Sequence, residues 1–287
     1  MASCLRILIK RLFNKVPLLK KVSIAAYKIR GNKPWTFGYP FYKFEFIRKI
    51  INGDLSVFHG MSLPPAYGFR LDERVVEYPW FFSRLKNKEK IILDAGSTLN
   101  HPEILNSRPL QSRTLHIVTL APEEFKSDRA GIHYSYQDLR KTSFAPDFFD
   151  AVVSISTIEH IGMDNTFLYA SNPSQKENAL SAYGDAIKEL KRILKKNGSL
   201  YVTIPFGKRK NHGWFQIFDD TMIRKIIEVF SPQSARETYF KYQDNQWDFA
   251  NADDCRDGDY FDIHQEKKYR GDFLAASRCV ACLELIK

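Results

Sequence analysis

The stretch ILDAGSTLNHPEIL, residues 92–105, places an acid and a glycine at the end of a short apolar run. Runs of this kind are typical of buried parallel strands, and open α/β sheets bind ligands at the carboxyl ends of their strands. Gly96 permits a tight turn whose amides can face a ligand, and Asp94 can orient those amides. The stretch therefore predicts a strand followed by a ligand-binding turn.

Further strand and helix signals follow in alternation. A helix with one apolar face is predicted over residues 179–196, with Asn197-Gly198 as its stop signal, and another begins near Asp219-Asp220. Such alternation indicates a Rossmann-like, doubly wound α/β sheet of about seven mostly parallel strands. Besides IILDA (91–95), its predicted parallel strands are TLHIVTL (114–120), GIHYSY (131–136), FFDAVVSIS (148–156) and SLYVTIP (199–205).

Two late strand candidates, ETYFKY (237–242) and SRCVACLELI (277–286), have no strongly periodic helix between them. They are predicted to form an antiparallel hairpin pair at one edge of the sheet. Cys279 and Cys282 have CxxC spacing, but in a strand residues three apart point to opposite faces. Because no second ligand pair accompanies them, we expect no metal site.

Four stretches together resemble the class I S-adenosylmethionine-dependent methyltransferase family over roughly residues 75–287. Asp94-Ala95-Gly96 is similar to the start of the family's first motif, and FFDAVVSISTIEHIG (148–162) to its fourth-strand motif. LKKNGSLYVTIPFG (194–207) resembles its helix, turn and fifth strand, and Asp138 precedes a loop where the family contacts adenine. The resemblance implies a seven-stranded sheet, S-adenosylmethionine as cofactor and methyl transfer as the activity.

The resemblance also implies roles for individual residues. His160 is the candidate base if the acceptor is a hydroxyl, and Glu159 orients it or binds the substrate. For this pair, and for Asp94 and Asp138, a helix- or loop-capping role is the structural alternative. The candidate cofactor-binding residues are Asp94, Gly96, Ser97, Thr98, Asn100 and Asp138.

Two departures from the family pattern stand out. Thr98 and Asn100 occupy positions where the family has its second and third glycines, and Leu120-Ala121-Pro122 replaces the acid that binds the ribose. Asn tolerates positive backbone dihedrals, whereas the β-branch of Thr98 resists them. Glu123 or Glu124 is the candidate substitute for the ribose acid. The departures leave a non-catalytic scaffold or binding protein as the alternative, and the missing glycines argue against a nicotinamide dinucleotide.

The charge is unevenly distributed. Ten basic residues precede Glu45, the first acid, and the remaining 33 basic residues balance 33 acidic ones. In residues 1–34 the apolar positions Leu5, Leu8, Leu12 and Val16 recur at helical spacing among these cations. This pattern predicts an amphipathic helix that contacts an anionic membrane surface, or one that packs on the domain. Nucleic acid is an unlikely partner because no aromatic-basic platform accompanies the charge.

Three units are predicted: the basic helix (1–34), an aromatic-rich segment (35–88) and the methyltransferase-like domain (89–287). The aromatic segment is either a lid over the substrate or an auxiliary core. The expected acceptor is a hydroxyl of a glycan or lipid-linked molecule, in the cytoplasm or at the inner face of a membrane. A membrane lipid chain is the alternative acceptor, since EHIG (159–162) resembles the EHVG of cyclopropane-fatty-acid synthases.

Overall fold

The computed structural model describes residues 17–166, 168–169 and 176–287. The predicted apolar positions Leu5, Leu8, Leu12 and Val16 lie outside them. Within the described residues, no helix is long and apolar enough to cross a membrane. The helices are α1 (Pro17–Ile29), α2 (Tyr39–Ile51), α3 (Arg74–Arg84), α4 (Pro102–Leu105), α5 (Tyr183–Ile193), α6 (Asp220–Phe230) and α7 (Ala252–Cys255).

The strands form one large sheet and one small ribbon. The large sheet contains β1 (Ile91–Ala95), β2 (Thr114–Thr119), β3 (Ile132–Tyr136), β4 (Phe149–Ile155), β5 (Leu194–Pro205), β8 (Ser234–Gln243), β9 (Gln246–Ala250) and β10 (Cys279–Ile286). The ribbon pairs β6 (Lys210–Asn211) with β7 (Gln216–Ile217).

The large sheet has the order β3-β2-β1-β4-β5-β10-β8-β9. Strands β1 to β5 are parallel, whereas β10, β8 and β9 join through antiparallel pairs. The predicted mostly parallel sheet with an antiparallel edge is confirmed. The strand order reverses between β1 and β4, and an open α/β sheet binds its ligand in the crevice at such a reversal.

The strand count is eight, not the predicted seven. The additional strand β9 follows Asp244-Asn245, which both have positive φ, at 53° and 65°. Two such residues form the tight turn that suits the twist of a hairpin. β8 and β10 pair antiparallel as expected, but β10 lies between β5 and β8, so β9 is the edge strand.

The helix predicted over residues 179–196 is shorter. It spans Tyr183–Ile193, and β5 begins at the next residue. Phe149 pairs with Leu194 and Ala151 with Ser199, so four residues of β5, 195–198, stand opposite Asp150 alone. Asn197 has φ of 61°, so the predicted stop signal forms a bulge inside the strand and not the end of the helix.

Both faces of the sheet are covered. One core cluster joins α2 and α3 to the sheet and contains most of the buried aromatic side chains of residues 35–88, including Tyr39, Phe58, Trp80 and Phe81. The other lies under α5 and α6. Cys282 packs in the first cluster and Cys279 in the second, which confirms that the CxxC side chains point to opposite faces.

Candidate active site

In the loop after β1, the left-handed backbone conformations lie before the two positions where the family has its later glycines. Gly96 has φ of +119° and Ser97 has φ of 62°. Thr98 and Asn100 are not among the residues with positive φ. The left-handed conformations therefore fall at the first two loop positions, and the β-branch of Thr98 causes no strain.

Asp94 holds this loop together. The side chain is fully buried; its Oδ2 accepts from the Leu99 amide at 2.8 Å and its Oδ1 from the Thr98 amide at 3.2 Å. Burial is the main cause that raises the pKa of Asp94, to about 7. Asp94 thus orients two amides of the loop.

Gly96 is required by a neighbouring loop. A Cβ atom added here would lie 2.1 Å from the hydroxyl oxygen of Thr157, which follows β4. The Gly96 amide also donates to the Val118 carbonyl in β2 at 2.9 Å. Gly96 thus lets the ends of β1, β2 and β4 meet at the crevice.

Asn100 braces the loop that follows β2. Its Nδ2 donates to Glu123 Oε2 at 2.8 Å and to the Phe125 carbonyl at 3.0 Å, and its Oδ1 accepts from the Tyr134 hydroxyl at 2.9 Å. Glu123, a candidate for the ribose acid, therefore already binds Asn100. Sequence reasoning treated these two residues as separate ligand contacts, whereas the structure makes them partners.

A cleft of about 210 Å³ lies at the strand-order reversal. Four of the predicted site residues line it: Gly96, Thr98, Asp138 and His160. Asp94, Ser97, Asn100 and Glu159 lie behind this lining; Glu159 is 1% exposed. Apolar and uncharged polar groups from β2 and the loop after β3 complete the wall, including Val118, Leu120, Gln137 and Leu139.

Asp138 is held by an ion pair. Its Oδ2 contacts Arg140 Nη2 at 2.6 Å, and Arg140 Nη1 contacts Glu177 Oε2 at 2.6 Å. Despite partial burial, hydrogen bonds from the Arg140 side chain and amide lower the pKa of Asp138. Asp138 therefore remains ionised at the cleft wall, with Arg140 sharing its oxygens.

His160 sits in a 3-10 turn, Ile158–His160, directly after β4. Its Nδ1 lies 2.9 Å from the Trp214 carbonyl oxygen. A carbonyl only accepts, so Nδ1 carries the hydrogen and Nε2 carries the lone pair. Burial lowers the pKa of His160 to about 4, which keeps the ring neutral at pH 7.

Glu159 lies beside this lone pair. Its Oε1 is 4.0 Å from His160 Nε2, and its buried Oε2 has no hydrogen-bond partner among the described residues. Burial raises the pKa of Glu159 well above its ordinary value. Burial thus favours the protonated carboxyl of Glu159, which can donate one hydrogen bond.

Glu77 of α3 is a polar residue near the cleft that sequence reasoning missed. Glu77 Oε1 accepts from the hydroxyls of Ser156 and Thr203, each at 2.7 Å, and Glu77 Oε2 accepts from Arg74. Ser156 also lines the cleft. The sequence does contain a signal for this residue. Arg74 and Glu77 are charged residues that interrupt the apolar and aromatic residues of RVVEYPWFF (74–82).

Asp262 supports Trp214 from behind. Its buried Oδ2 accepts from Trp214 Nε1 at 3.3 Å and lies 3.6 Å from His212 Nδ1. The acidic segment 251–262 therefore places the Asp262 carboxylate beside Trp214 and His212. Residues Ala252–Cys255 of the same segment form α7. Among the described residues, no group of His, Cys, Asp and Glu could hold a metal ion.

Comparison with known proteins gives one family match. Residues 113–202, which include β2 to β4, most of β5 and the Glu159-His160 pair, match the family described as a methyltransferase domain. A SAM dependent methyltransferase from Archaeoglobus fulgidus is similar in structure, with 10% identity, 76% of this chain and 96% of that chain covered, and a TM-score of 0.46. No curated protein matches the sequence.

A second similar structure is Burkholderia thailandensis 1,6-didemethyltoxoflavin-N1-methyltransferase, with bound 1,6-didemethyltoxoflavin and S-adenosylhomocysteine. It has 10% identity, with 69% of this chain and 72% of that chain covered, and a TM-score of 0.39. Identity at this level leaves the substrate of the present chain open.

Residues 113–202 match a methyltransferase domain, and the reversed strand order of the sheet and the glycine turn after β1, which precedes the matched residues, are consistent with the class I methyltransferase fold. The match identifies a methyltransferase domain in this chain, for which S-adenosylmethionine is the expected methyl donor.

Proposed function

We propose that this enzyme methylates a hydroxyl group on a glycan or a lipid-linked molecule. The observation that carries the proposal is the state of His160 at the cleft. The Trp214 carbonyl fixes the hydrogen on Nδ1, so the lone pair of Nε2 is available as a base. A hydroxyl needs such a base because it must lose its proton as it is methylated.

The chemistry of the cleft residues suits the different parts of S-adenosylmethionine. Gly96 and Thr98 would lie against its amino acid part, Asp138 would accept from the adenine amino group, and apolar Leu139 and Val118 would contact the ring. Asp94, Ser97 and Asn100 would act by shaping the loop. No acid stands at the end of β2, so the ribose hydroxyls would be bound without the family's usual carboxylate.

The cleft is smaller than the roughly 300–1,000 Å³ usual for small-molecule sites. Cofactor entry therefore requires part of the wall to move outward. The half-buried ion pair between Arg140 and Glu177 joins two wall residues that are 37 positions apart in sequence, so its opening would separate two segments of the wall.

Bound S-adenosylmethionine supplies an electrophilic methyl group on a positively charged sulfur. The protein's part is to hold the acceptor oxygen in line with that methyl group and to take the acceptor's proton on His160 Nε2. Glu159, whose burial favours the protonated form, would donate a hydrogen bond that orients the acceptor. These assignments of His160 as base and Glu159 as orienting residue are proposals.

A lipid-linked acceptor would also explain the outer face of α1. Leu18, Val22 and Ile29 are 69%, 56% and 86% exposed, and Lys21, Lys28 and Arg30 lie among them. Lys20 contacts Glu103 of α4 at 2.9 Å, which ties α1 to the helix after the cofactor loop. We propose that this face rests on an anionic membrane surface through residues 1–30.

Calorimetry with purified full-length chain tests the cofactor assignment. S-adenosylmethionine and S-adenosylhomocysteine are expected to bind in the micromolar range, about −8 kcal/mol, while NAD gives no signal. A folded chain that binds neither would favour the non-catalytic scaffold. With binding established, hydroxyl transfer is tested by incubation with labelled cofactor and glycan or lipid acceptors, comparing wild type with His160→Ala. Unchanged turnover in His160→Ala would exclude this histidine as the base.

A further inference from the structure

Part of the surface near the end of α1 exposes aromatic side chains. Trp35, Phe69 and Tyr269 are 39%, 37% and 41% exposed, and the ring of the partly buried Phe273 lies 5.8 Å from that of Tyr269. We call these four residues the aromatic patch. Single exposed apolar side chains are common, whereas several that adjoin one another mark a surface that contacts a partner or a membrane.

Hydrogen bonds hold two of the rings at the surface. The indole Nε1 of Trp35 donates to the Ala275 carbonyl at 2.6 Å, and the Tyr269 hydroxyl donates to the Pro34 carbonyl at 2.8 Å. These bonds join segments that are 240 and 235 positions apart in sequence. Each ring therefore has its polar atom satisfied by the protein while part of its apolar surface stays exposed.

Arg70 connects the other two rings to the end of α1. Its guanidinium carbon lies 4.9 Å from the ring centroid of Phe69 and 4.0 Å from that of Phe273. Its Nη1 also donates to the carbonyl of Gly31, which follows α1 by two residues, at 2.6 Å. The aromatic patch is therefore continuous with the end of α1.

The backbone of this surface is strained. Trp35 and Phe273 have φ of 60° and 53°, and Arg70 has φ of 54°. This left-handed region is unfavourable for bulky side chains, and residues held in it cluster at functional sites. Trp35 and Phe273 belong to neither core cluster, so core packing does not account for these conformations.

The acidic residues beside the patch are compensated within the protein. Three acids reach the surface between positions 259 and 272, and an arginine contacts each of them: Asp259, Glu266 and Asp272. Arg278 lies 2.7 Å from Asp259 and 2.7 Å from Asp272, and Arg270 lies 2.6 Å from Glu266. These carboxylates therefore do not offset the lysines nearby.

Three lysines beside the patch carry uncompensated charge. Lys267 and Lys268 directly precede Tyr269, and Lys33 lies two positions before Trp35. All three are exposed, and within the described residues no ion pair engages their ammonium groups. Exposed aromatic rings beside unpaired lysines match the two parts of an anionic bilayer surface, its interfacial apolar region and its phosphate groups.

We infer that the aromatic patch is a membrane-contact surface, whose rings enter the interfacial region of an anionic bilayer while the neighbouring lysines bind lipid phosphates. The inference rests on the membrane contact proposed for α1 and adds residues from three further segments to it. Trp and Tyr favour this interface because their rings are apolar with one polar atom. A bilayer fits better than a nucleic acid, because the adjoining face of α1 exposes aliphatic side chains such as Ile29, which do not stack on bases.

Tryptophan fluorescence tests the inference directly. Trp80 and Trp247 are buried and Trp214 packs on His160, so Trp35 is the tryptophan placed to meet lipid. The full chain is mixed with vesicles of phosphatidylcholine and phosphatidylserine in equal parts, in which the phosphatidylcholine is either plain or brominated on its acyl chains. Brominated lipid is expected to quench wild-type emission, and Trp35→Phe should lose this quenching while it still co-sediments with the vesicles.

The outcomes separate the patch from α1. Vesicle binding with equal quenching in wild type and Trp35→Phe would overturn the patch and leave the contact of α1 standing. Quenching that persists when Leu18, Val22 and Ile29 are replaced with Ser would support the patch and refute the contact of α1. Wild type that does not bind these vesicles would overturn both, whereas binding of S-adenosylmethionine is measured separately by calorimetry.

Lysine variants test the charge of the patch. Replacing Lys267 and Lys268 with Gln is expected to weaken vesicle binding about fivefold for each lysine, the effect of one basic residue near an anionic surface. The matched control replaces Lys88 and Lys196, two exposed lysines outside the patch. Equal weakening in both double variants would indicate a general effect of net charge and overturn the assignment. Binding of a single-stranded oligonucleotide that requires Lys267 and Lys268, with vesicle binding unchanged, would assign the patch to nucleic acid instead.

Discussion

At Gly96 the absence of a side chain allows the loops after β1 and β4 to contact each other. Gly96→Ala would place a methyl group 2.1 Å from the Thr157 hydroxyl oxygen at a φ of +119°. We expect this variant to lose cofactor affinity and about 1–3 kcal/mol of unfolding free energy. Calorimetry and urea unfolding measure the two effects. Gly184→Ala is the control, because an added Cβ there meets nothing within 4 Å. Equal behaviour of both variants would contradict the role of Gly96.

Asp94 makes the stability of the fold depend on pH. Its pKa is about 7 in the folded state against an ordinary value of 3.8, so the folded state keeps a proton that the unfolded state releases. Its contribution is full below about pH 4 and is lost as pH rises through about 7. Urea unfolding across this range should show a smaller fall in unfolding free energy for Asp94→Asn than for wild type. Asp185→Asn, on the exposed surface, should keep the wild-type slope; equal slopes in all three would exclude Asp94 as the source.

Asp262 is expected to control His160 through Trp214. In Asp262→Ala the Trp214 ring loses its 3.3 Å contact, so its carbonyl no longer fixes His160 Nδ1 and water reaches the ring. The pKa of His160 should then rise from about 4 toward the ordinary histidine value. Nitrogen-15 NMR of labelled histidines reports both the pKa and the tautomer. Asp262→Asn keeps an oxygen acceptor and should behave as wild type; an unaltered His160 in Asp262→Ala would rule out this support.

Among the elements, α6 begins with a side-chain cap. Asp219 lies in extended backbone and its Oδ1 accepts from the Met222 amide at 2.9 Å. Asp219→Ala should lower the unfolding free energy by about 1 kcal/mol, and Asp219→Asn by much less, because Asn also caps well. Chemical denaturation measures the difference. Equal loss in both variants would show that the charge and not the cap stabilises the helix.

Element lengths show where local signals are insufficient. The strand β1 has the predicted bounds, and α6 begins where its acidic pair indicated. The sequence Asn197-Gly198 indicates a turn. Its place inside β5 depends on the pairing of the flanking β5 residues with Phe149 and Ala151 of β4. β9 likewise exists because β8 offers a partner across a two-residue turn.

For the whole molecule, membrane contact by α1 is the expectation to test. Replacing Leu18, Val22 and Ile29 with Ser should reduce co-sedimentation with vesicles that contain phosphatidylserine. Binding should also weaken with added salt, because anionic lipid attracts basic residues by about 1 kcal/mol each near the surface. Met61→Ser, at another exposed apolar residue, is the control. Equal sedimentation of wild type with phosphatidylcholine vesicles, or no effect of the triple change, would contradict an electrostatic contact.

The sequence by itself determined the class of fold and the edge of the sheet that carries the site. Apolar β-branched runs separated by helix-length segments can bury their surface only in a layered α/β sheet, and Asp94, Gly96 and the Glu159-His160 pair each follow such a run. These features depend on neighbours along the chain, which is why they can be read from it.

Only the tertiary structure decided what each site residue contacts. Asn100 binds Glu123, Gly96 faces Thr157 and His160 donates to Trp214 because the ends of separate strands converge at one crevice. Glu77 reaches the same crevice, through Ser156, from a helix that precedes β1. Such contacts, and the burial that shifts the pKa values of Asp94, Glu159 and His160, arise from packing between distant segments, and spacing along the chain does not encode them.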